Sequence, residues 1–180
     1  MVHVCMLIVL LAMRPTNLAQ GQDPSASDIV VIDGKKNPSQ IPEWLAWEHG
    51  FMRIAMLKGK ETAFTQSLKE GLSREEFDLL EREASAQSER LDVAIKEAEP
   101  LREEYEKRDP KDAKLMGSLN ARMQDVNVRY RRATLDARDR ILQALCPESQ
   151  SLVLSWIGEL RADIVSRVQK SELERWRAPE

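Results

Sequence analysis

The side chains of this sequence that could do chemistry are few and isolated. The chain has two histidines and two cysteines, and one of each, His3 and Cys5, lies in the first five residues. Beyond these, the sequence has no His-x-x-x-His or Cys-x-x-Cys spacing and no glycine-rich phosphate loop. A soft-metal site needs several nitrogen or sulfur ligands, which His49 and Cys146 cannot form alone. The sequence therefore predicts a protein that is not an enzyme and uses no cofactor or metal.

Cys146 is the residue with the strongest chemical argument. It directly precedes Pro147, which suits the first position of a helix, and the dipole of that helix favours an anion there. Three interpretations stay open: a small buried side chain, a thiol that forms an intermolecular disulfide in an oxidising compartment, and a redox site. Removal of Cys5 with an N-terminal signal would leave no partner for an internal disulfide.

Two clusters of charged residues are the remaining candidates for a binding site. The acidic cluster comprises Glu99, Glu103, Glu104 and Glu106, and the basic cluster comprises Arg129, Arg131, Arg132, Arg138 and Arg140. We interpret the acids as a solvated helix face and the arginines as the complement of an acidic neighbouring helix. The formal charge of −3 and the lack of interleaved aromatic residues argue against a nucleic-acid partner.

The N-terminal residues have the pattern of an export signal. The apolar run Val4 to Met13 is shorter than the about 20 residues that span a bilayer, and small residues at Ala19 and Gly21 suit a signal peptidase. We expect residues 1–21 to be a cleaved signal peptide and 22–40 a flexible leader, so the mature protein is periplasmic or secreted with no other membrane segment. A retained anchor and a mis-assigned start are the alternatives.

Two heptad stripes dominate the rest of the chain. The first comprises Phe77, Leu80, Ala84, Gln87, Leu91, Ala94, Ala98, Leu101 and Tyr105, and the second comprises Leu119, Met123, Val126, Tyr130, Ala133, Ala137, Ile141 and Ala144. Spacings of three and four residues place each set on one side of a helix, where another helix must cover it. Asp109-Pro110 ends the first helix. The pattern predicts an all-α fold built on a long antiparallel helical hairpin.

The register and the ends of this hairpin are also predicted. Antiparallel pairing opposes Leu91 to Tyr130 and Gln87 to Ala133, with an acidic first arm and a basic second arm that attract each other. Ser73 and Glu76 have the spacing of a capping box at the start of the first arm. Pro100 predicts a kink rather than a break, because the heptad continues in phase beyond it.

Shorter amphipathic helices are expected to cover the hairpin, which completes a helical domain over 41–170 before a polar tail over 171–180. One helix begins at Pro42 and one at Pro147, the latter continuing through Ile164 and Val168. Their aromatic residues are Trp44, Trp47, Phe51 and Trp156. Two interpretations stay open: the aromatic residues pack as a lid on the hairpin, or they form an exposed surface for a partner.

Two segments resemble a known family. Leu72-Ser73-Arg74-Glu75-Glu76 and Leu145-Cys146-Pro147-Glu148-Ser149-Gln150 each open a helix beside the long charged hairpin. This resembles the periplasmic stress-chaperone and metal-resistance-associated family, which repeats Leu-Thr-x-x-Gln at helix starts. The resemblance implies small dimers, export, ATP-independent binding of client polypeptides and sometimes a metal response. Ile41-Pro42-Glu43-Trp44 is also similar to the opening of uncharacterised secreted bacterial helical proteins.

These observations predict an exported, non-enzymatic helical protein that binds other polypeptides and acts in a chaperone-like way. Its candidate partner surface is the aromatic set Trp44, Trp47, Phe51 and Trp156. The alternatives are a self-associating envelope component, for which Cys146 is the candidate intermolecular thiol and a homodimer the simplest assembly, and a metal-responsive periplasmic protein.

Overall fold

The computed structural model of the protein describes residues 28–57, 63–109 and 112–177. In chain order the elements are β1 (Ile29–Asp33), a 3₁₀ turn (Pro38–Gln40), α1 (Glu43–Met56), α2 (Ala63–Gly71), α3 (Arg74–Lys107), α4 (Ala113–Ala144), α5 (Pro147–Ala162), β2 (Val165–Gln169), a 3₁₀ turn (Lys170–Glu172) and α6 (Leu173–Arg177). The predicted all-α class is confirmed, with one small sheet added. The predicted signal peptide lies outside the described residues.

The two long helices begin at side-chain caps. At the start of α3, the Ser73 hydroxyl accepts a hydrogen bond from the Glu76 backbone N–H at 3.3 Å, and the Glu76 carboxylate accepts one from the Ser73 N–H at 2.9 Å. The Asp112 carboxylate caps α4 in the same way through the Leu115 N–H. Helix α3 then runs unbroken through Pro100, so the capping box and the continuity of this arm match the sequence prediction.

Helices α3 and α4 pack side by side and run antiparallel. Salt bridges join Glu83 to Arg140 at 2.8 Å and Glu97 to Arg129 at 2.7 Å. Residues later in α3 therefore contact residues earlier in α4, as in an antiparallel pair. Such exposed pairs contribute at most about 1 kcal/mol each, and the seam between the helices supplies more. Leu91 and Tyr130 belong to one buried cluster, in the half of this seam that contains the end of α3 and the start of α4.

The seam departs from the predicted stripe of α4 at two positions. Thr134 and Leu145 are buried, whereas Ala133 is half-buried and Ala144 is exposed. Gln87 therefore faces Thr134 and not Ala133, as their side-chain hydrogen bond shows. The physical reason is that a straight helix drifts relative to a strict seven-residue repeat, so the inward position shifts by one residue along a long arm.

Helices α1 and α5 cover the half of the hairpin that contains the start of α3 and the end of α4. Together with that half they form a second, larger core. The two helices pack closely at Gly50, where a β-carbon would lie 2.6 Å from Ile157 Cδ1 and 3.0 Å from Trp156 Cζ3. A side chain at position 50 would therefore require Ile157 and the Trp156 ring to shift within a close-packed core.

The strands β1 and β2 form an antiparallel ribbon that pairs Val31 with Arg167 and Asp33 with Val165. Ile32 and Val168 are buried against the helices. This corrects two expectations: residues 29–33 of the supposed flexible leader are a strand, and the last helix ends at Ala162 before Val168. The local pattern missed the ribbon because its two strands are far apart in the sequence, and the pairing stabilises β-branched residues that are weak helix formers.

The C-terminal residues also differ from the expected polar tail. Helix α6 buries Trp176, whose backbone carbonyl accepts a hydrogen bond from Trp44 Nε1 at 3.4 Å. The Arg175 carbonyl accepts one from Arg131 Nη1 at 3.0 Å. Residues 171–177 therefore dock on α1 and α4, because an aromatic side chain in a polar segment can bury its large apolar surface there.

Candidate functional site

The aromatic set predicted as a partner surface lies inside the protein. Trp44 and Trp156 are each 6% exposed, and Trp47 and Phe51 are each 1% exposed. The alternative of a packed lid describes these residues, and the proposed partner surface was wrong. The reason is that α1, α5 and the hairpin bring three apolar faces together, and α6 covers Trp44 from outside.

A buried carboxyl group lies within this aromatic lid. Glu48 on α1 is 6% exposed, and its Oε1 accepts a hydrogen bond from the Tyr130 hydroxyl on α4 at 3.0 Å. Its other oxygen, Oε2, has no hydrogen-bond partner among the described residues. A buried carboxylate with one unsatisfied oxygen is costly in its charged form.

The electrostatics of this pair follow from its burial. Removal from water raises the pKa of Glu48 to about 7, although the Tyr130 hydrogen bond and the positive charge of Arg131 act in the opposite direction. Burial also raises the pKa of the Tyr130 hydroxyl, and the neighbouring Glu48 charge adds to the effect. Glu48 therefore exchanges its proton near neutral pH, whereas Tyr130 stays a hydrogen-bond donor.

A second part of the same polar layer joins α3 to α4. Gln87 Nε2 donates to Thr134 Oγ1, and the Thr134 hydroxyl donates in turn to the Tyr130 carbonyl at 3.1 Å. Arg90 Nη1 donates to Gln87 Oε1 at 3.1 Å. Because Gln87, Thr134 and Glu48 are all buried, no substrate reaches them in this conformation. The titratable group of this layer is the Glu48 carboxyl, whose pKa burial raises to about 7.

Sequence reasoning missed this buried polar layer, although signals existed. Glu48 lies one helical turn from both Trp44 and Phe51, so it interrupts an apolar face, and Gln87 is the one amide in an otherwise apolar stripe. A polar residue at such a position predicts a buried partner. Which partner it finds depends on how three helices pack, and the sequence alone does not give that.

Cys146, the predicted intermolecular thiol, is exposed. Its Sγ lies 3.2 Å from Ser149 Oγ, and its backbone N–H donates to Glu76 Oε1 at 3.4 Å. Glu76 thereby links the starts of α3 and α5. The hydrogen bond from the Ser73 backbone is the largest cause that lowers the pKa of Glu76 to about 2. The exposed thiol is accessible to a second copy of the chain, and the disulfide itself stays a prediction.

The other sequence candidates have ordinary environments. His49 is half-buried on α1, where burial and the charge of Arg53 lower its pKa. Of the acidic cluster, Glu103 pairs with Lys107 at 3.1 Å and Glu104 with Arg122 at 3.6 Å. Within residues 28–57, 63–109 and 112–177, no group of three or more His, Cys, Asp or Glu side chains is placed to hold a metal ion.

The outer face of the β-ribbon carries exposed apolar side chains, whereas the tryptophans are buried. Ile29, Val31 and Val165 are 44%, 59% and 50% exposed, on the side of the ribbon opposite the buried Ile32 and Val168. In the described part of the chain the sheet has only two strands, so each strand has one edge that pairs with no other strand.

Fold and site together define an all-α protein whose buried polar layer lies inside a helical hairpin assembly. No protein-family model matches the chain, no curated protein gives a significant match, and no solved structure does. Among the described helices, none combines the length and the apolar character needed to cross a membrane.

Proposed function

We propose that this protein is an exported, non-enzymatic polypeptide-binding protein that acts in a chaperone-like way. The observation that carries the proposal is the open β-ribbon, which presents Ile29, Val31 and Val165 to solvent beside strand edges that pair with no other described strand. The signal-like N-terminal residues and the resemblance to periplasmic stress chaperones support export. The site differs from the one expected, because the tryptophans are buried.

An open strand edge is suited to an extended polypeptide. Outward-facing N–H and C=O groups of an edge strand can pair with an added strand, and exposed side chains on the face select its sequence. Natural proteins protect such edges, so an exposed apolar ribbon indicates a surface that another chain binds. We infer that the occupant is an extended segment of another polypeptide that adds to the ribbon as a third strand.

Charge indicates the sequence preference of that segment. Lys35 pairs with Asp163 and Lys36 with Asp33, but Arg167 and Lys170, in and just after β2, have no ion pair among the described residues. Their unbalanced positive charge favours a segment in which acidic residues alternate with apolar ones.

A pair of short labelled peptides tests this preference. Fluorescence anisotropy should show saturable binding of a peptide of alternating valine and glutamate, and much weaker binding of its valine–lysine counterpart. Val31→Asp should weaken binding of the acidic peptide, whereas Val93→Asp should not. Val93 is the matched control because it is 54% exposed but lies on α3. Equal loss in both variants, or no binding of either peptide, would reject the ribbon as the binding surface.

The chaperone-like activity has its own assay. The purified protein should suppress light scattering by a reduced, unfolded test protein at a near-stoichiometric ratio, and Val31→Asp should reduce that suppression. Unchanged aggregation in the presence of the wild-type protein would reject the activity.

Self-association is a second candidate function, favoured by the exposed thiol of Cys146. Oxidised protein should then migrate as a dimer in non-reducing electrophoresis, and Cys146→Ser should migrate as a monomer. A wild-type monomer after oxidation would reject a disulfide-linked assembly.

A further inference from the structure

A cleft of about 490 Å³ opens on the side of the protein between the start of α1 and the C-terminal half of α4. The 3₁₀ turn Pro38–Gln40 forms one rim, and Arg161 of α5 and Arg177 of α6 reach it from the other elements. This volume falls within the range of small-ligand sites, about 300–1,000 Å³. The cleft contains none of the exposed ribbon residues and none of the buried polar layer around Glu48.

Four guanidinium groups line this cleft, those of Arg132, Arg138, Arg161 and Arg177. Two of them are held in place by the protein. Arg138 bridges Glu43 at 2.8 Å and Asp139 at 2.7 Å, and Arg161 Nε donates to the Ile41 carbonyl at 2.8 Å. These contacts orient two of the four groups and also hold the wall formed by the start of α1.

The other two guanidinium groups have unused donors. Neither Arg132 nor Arg177 has an ion pair or side-chain hydrogen bond among the described residues. Both are exposed, so among the described residues their donors are open to a ligand. The lining has four arginines against three acids, Glu43, Asp136 and Asp139, and is therefore positive on a chain whose formal charge is −3.

We propose that this cleft is a binding site for a single carboxylate group carried on an apolar group. The planar fork of arginine matches a carboxylate with two parallel hydrogen bonds. One positive charge in excess balances a monoanion, whereas the two charges of a phosphate dianion would exceed it. Leu135 and Pro42 line the same cleft and supply apolar contact for the rest of the ligand.

Two sources of this chemistry fit the cleft: a small carboxylic acid and the C-terminal carboxylate of a peptide. Both present the same group on an apolar body, and the experiment separates them. The site does not depend on polypeptide binding at the ribbon, because none of its lining residues belongs to β1 or β2.

The test uses calorimetric titration of the full chain with 4-phenylbutyrate, and with 4-phenylbutanol as the probe that lacks only the carboxylate. Saturable binding of the acid and at least about tenfold weaker binding of the alcohol are expected, because charge-assisted hydrogen bonds are the main difference between them. The double variant Arg132→Gln/Arg177→Gln should lose about tenfold in affinity for the acid. Arg74→Gln/Arg82→Gln, which removes two exposed arginines of α3 outside the cleft, should bind like wild type.

Further titrations assign the source and test the charge argument. If a dipeptide of two leucines with a free C-terminus binds and its amidated form does not, polypeptide C-termini are supported as ligands. Binding of 4-phenylbutyrate alone supports a small acid. Inorganic phosphate should compete poorly. Equal binding of acid and alcohol, equal loss in both double variants, or strong competition by phosphate would overturn the proposal. Val31→Asp should leave this binding unchanged, which separates its outcome from that of the ribbon.

Discussion

The hydroxyl of Tyr130 donates to Glu48 Oε1 at 3.0 Å and so ties α1 to α4 inside the aromatic core. This contact joins a helix of the covering layer to the hairpin through a group whose charge depends on pH. The protonation state of the Glu48 carboxyl therefore affects how strongly α1 is held against α4.

Stability should fall as pH rises through the neutral range. The pKa of Glu48 is about 7 in the folded protein and 4.5 as its ordinary value, so between these values the folded state keeps a proton that the unfolded state has lost. Folding stability then decreases with pH across this window and levels off above it. The full change is about 3 kcal/mol, as an order of magnitude. Urea denaturation at intervals from about pH 4.5 to about pH 8 measures it.

Glu48→Gln isolates this contribution. The amide still accepts from Tyr130 but does not ionise, so the decline in stability should flatten relative to wild type. The comparison of the two profiles is needed because His49, whose pKa is lowered by burial, contributes with the opposite sign in both proteins. Glu76 acts at lower pH, since its pKa is about 2. Glu99→Gln, at an exposed position of α3, is the matched control, and parallel profiles for wild type and Glu48→Gln would contradict the prediction.

The Gln87–Thr134 hydrogen bond should show strong coupling. Thr134→Val leaves the buried amide nitrogen of Gln87 without its acceptor, which costs about 1–3 kcal/mol of unfolding free energy. Gln87→Leu in the same protein removes that unsatisfied donor, so the double variant should be less destabilised than the sum of the single variants. The coupling energy, about 1 kcal/mol, follows from a double-mutant cycle by urea denaturation. Strict additivity would show that the two side chains do not interact.

Much of the helical scaffold could be predicted because it depends on residues that are close together in the sequence. The stripe from Phe77 to Tyr105 repeats over many turns, and every position of it is buried in α3. The cap at Ser73 needs only residues within one turn, and it is present. A periodic pattern this long leaves little choice of secondary structure.

The rest could not be predicted because it depends on residues that are distant in the sequence. The segment Ile164 to Val168 fits a helical spacing, but pairing with residues 29–33 makes Val165–Gln169 a strand. The unusual pKa of Glu48 arises from burial, and Trp176 is buried in a core of residues that are distant in the sequence, Trp44 among them. Packing against distant elements overrode the local pattern at each of these positions.

Two glycines should respond in opposite ways to alanine. Gly50→Ala places a methyl group 2.6 Å from Ile157 Cδ1, and overpacking of this kind costs about 1–3 kcal/mol. Gly158→Ala, on α5, meets nothing within 4 Å, so it should stabilise the protein by about 0.5–1 kcal/mol through the better helix propensity of alanine. Thermal denaturation of both variants measures the difference. A Gly50→Ala protein as stable as Gly158→Ala would show that Ile157 and Trp156 move aside without cost and would contradict the prediction.

Loss of the cap on α3 should affect two helix starts at once. The Ser73 hydroxyl accepts from the Glu76 N–H, and the Glu76 carboxylate accepts from the backbones of Ser73 and Cys146. Ser73→Ala should cost about 1 kcal/mol, the usual effect of removing such a cap. Ser73→Asp keeps an acceptor at the same position and should recover most of that loss, since an anion also suits a helix N-terminus. Hydrogen exchange should show faster opening in the first turn of α3 in Ser73→Ala and, through the displaced Glu76, at the Cys146 amide. If the Cys146 amide exchanges at the wild-type rate while α3 frays, Glu76 does not couple the two helix starts.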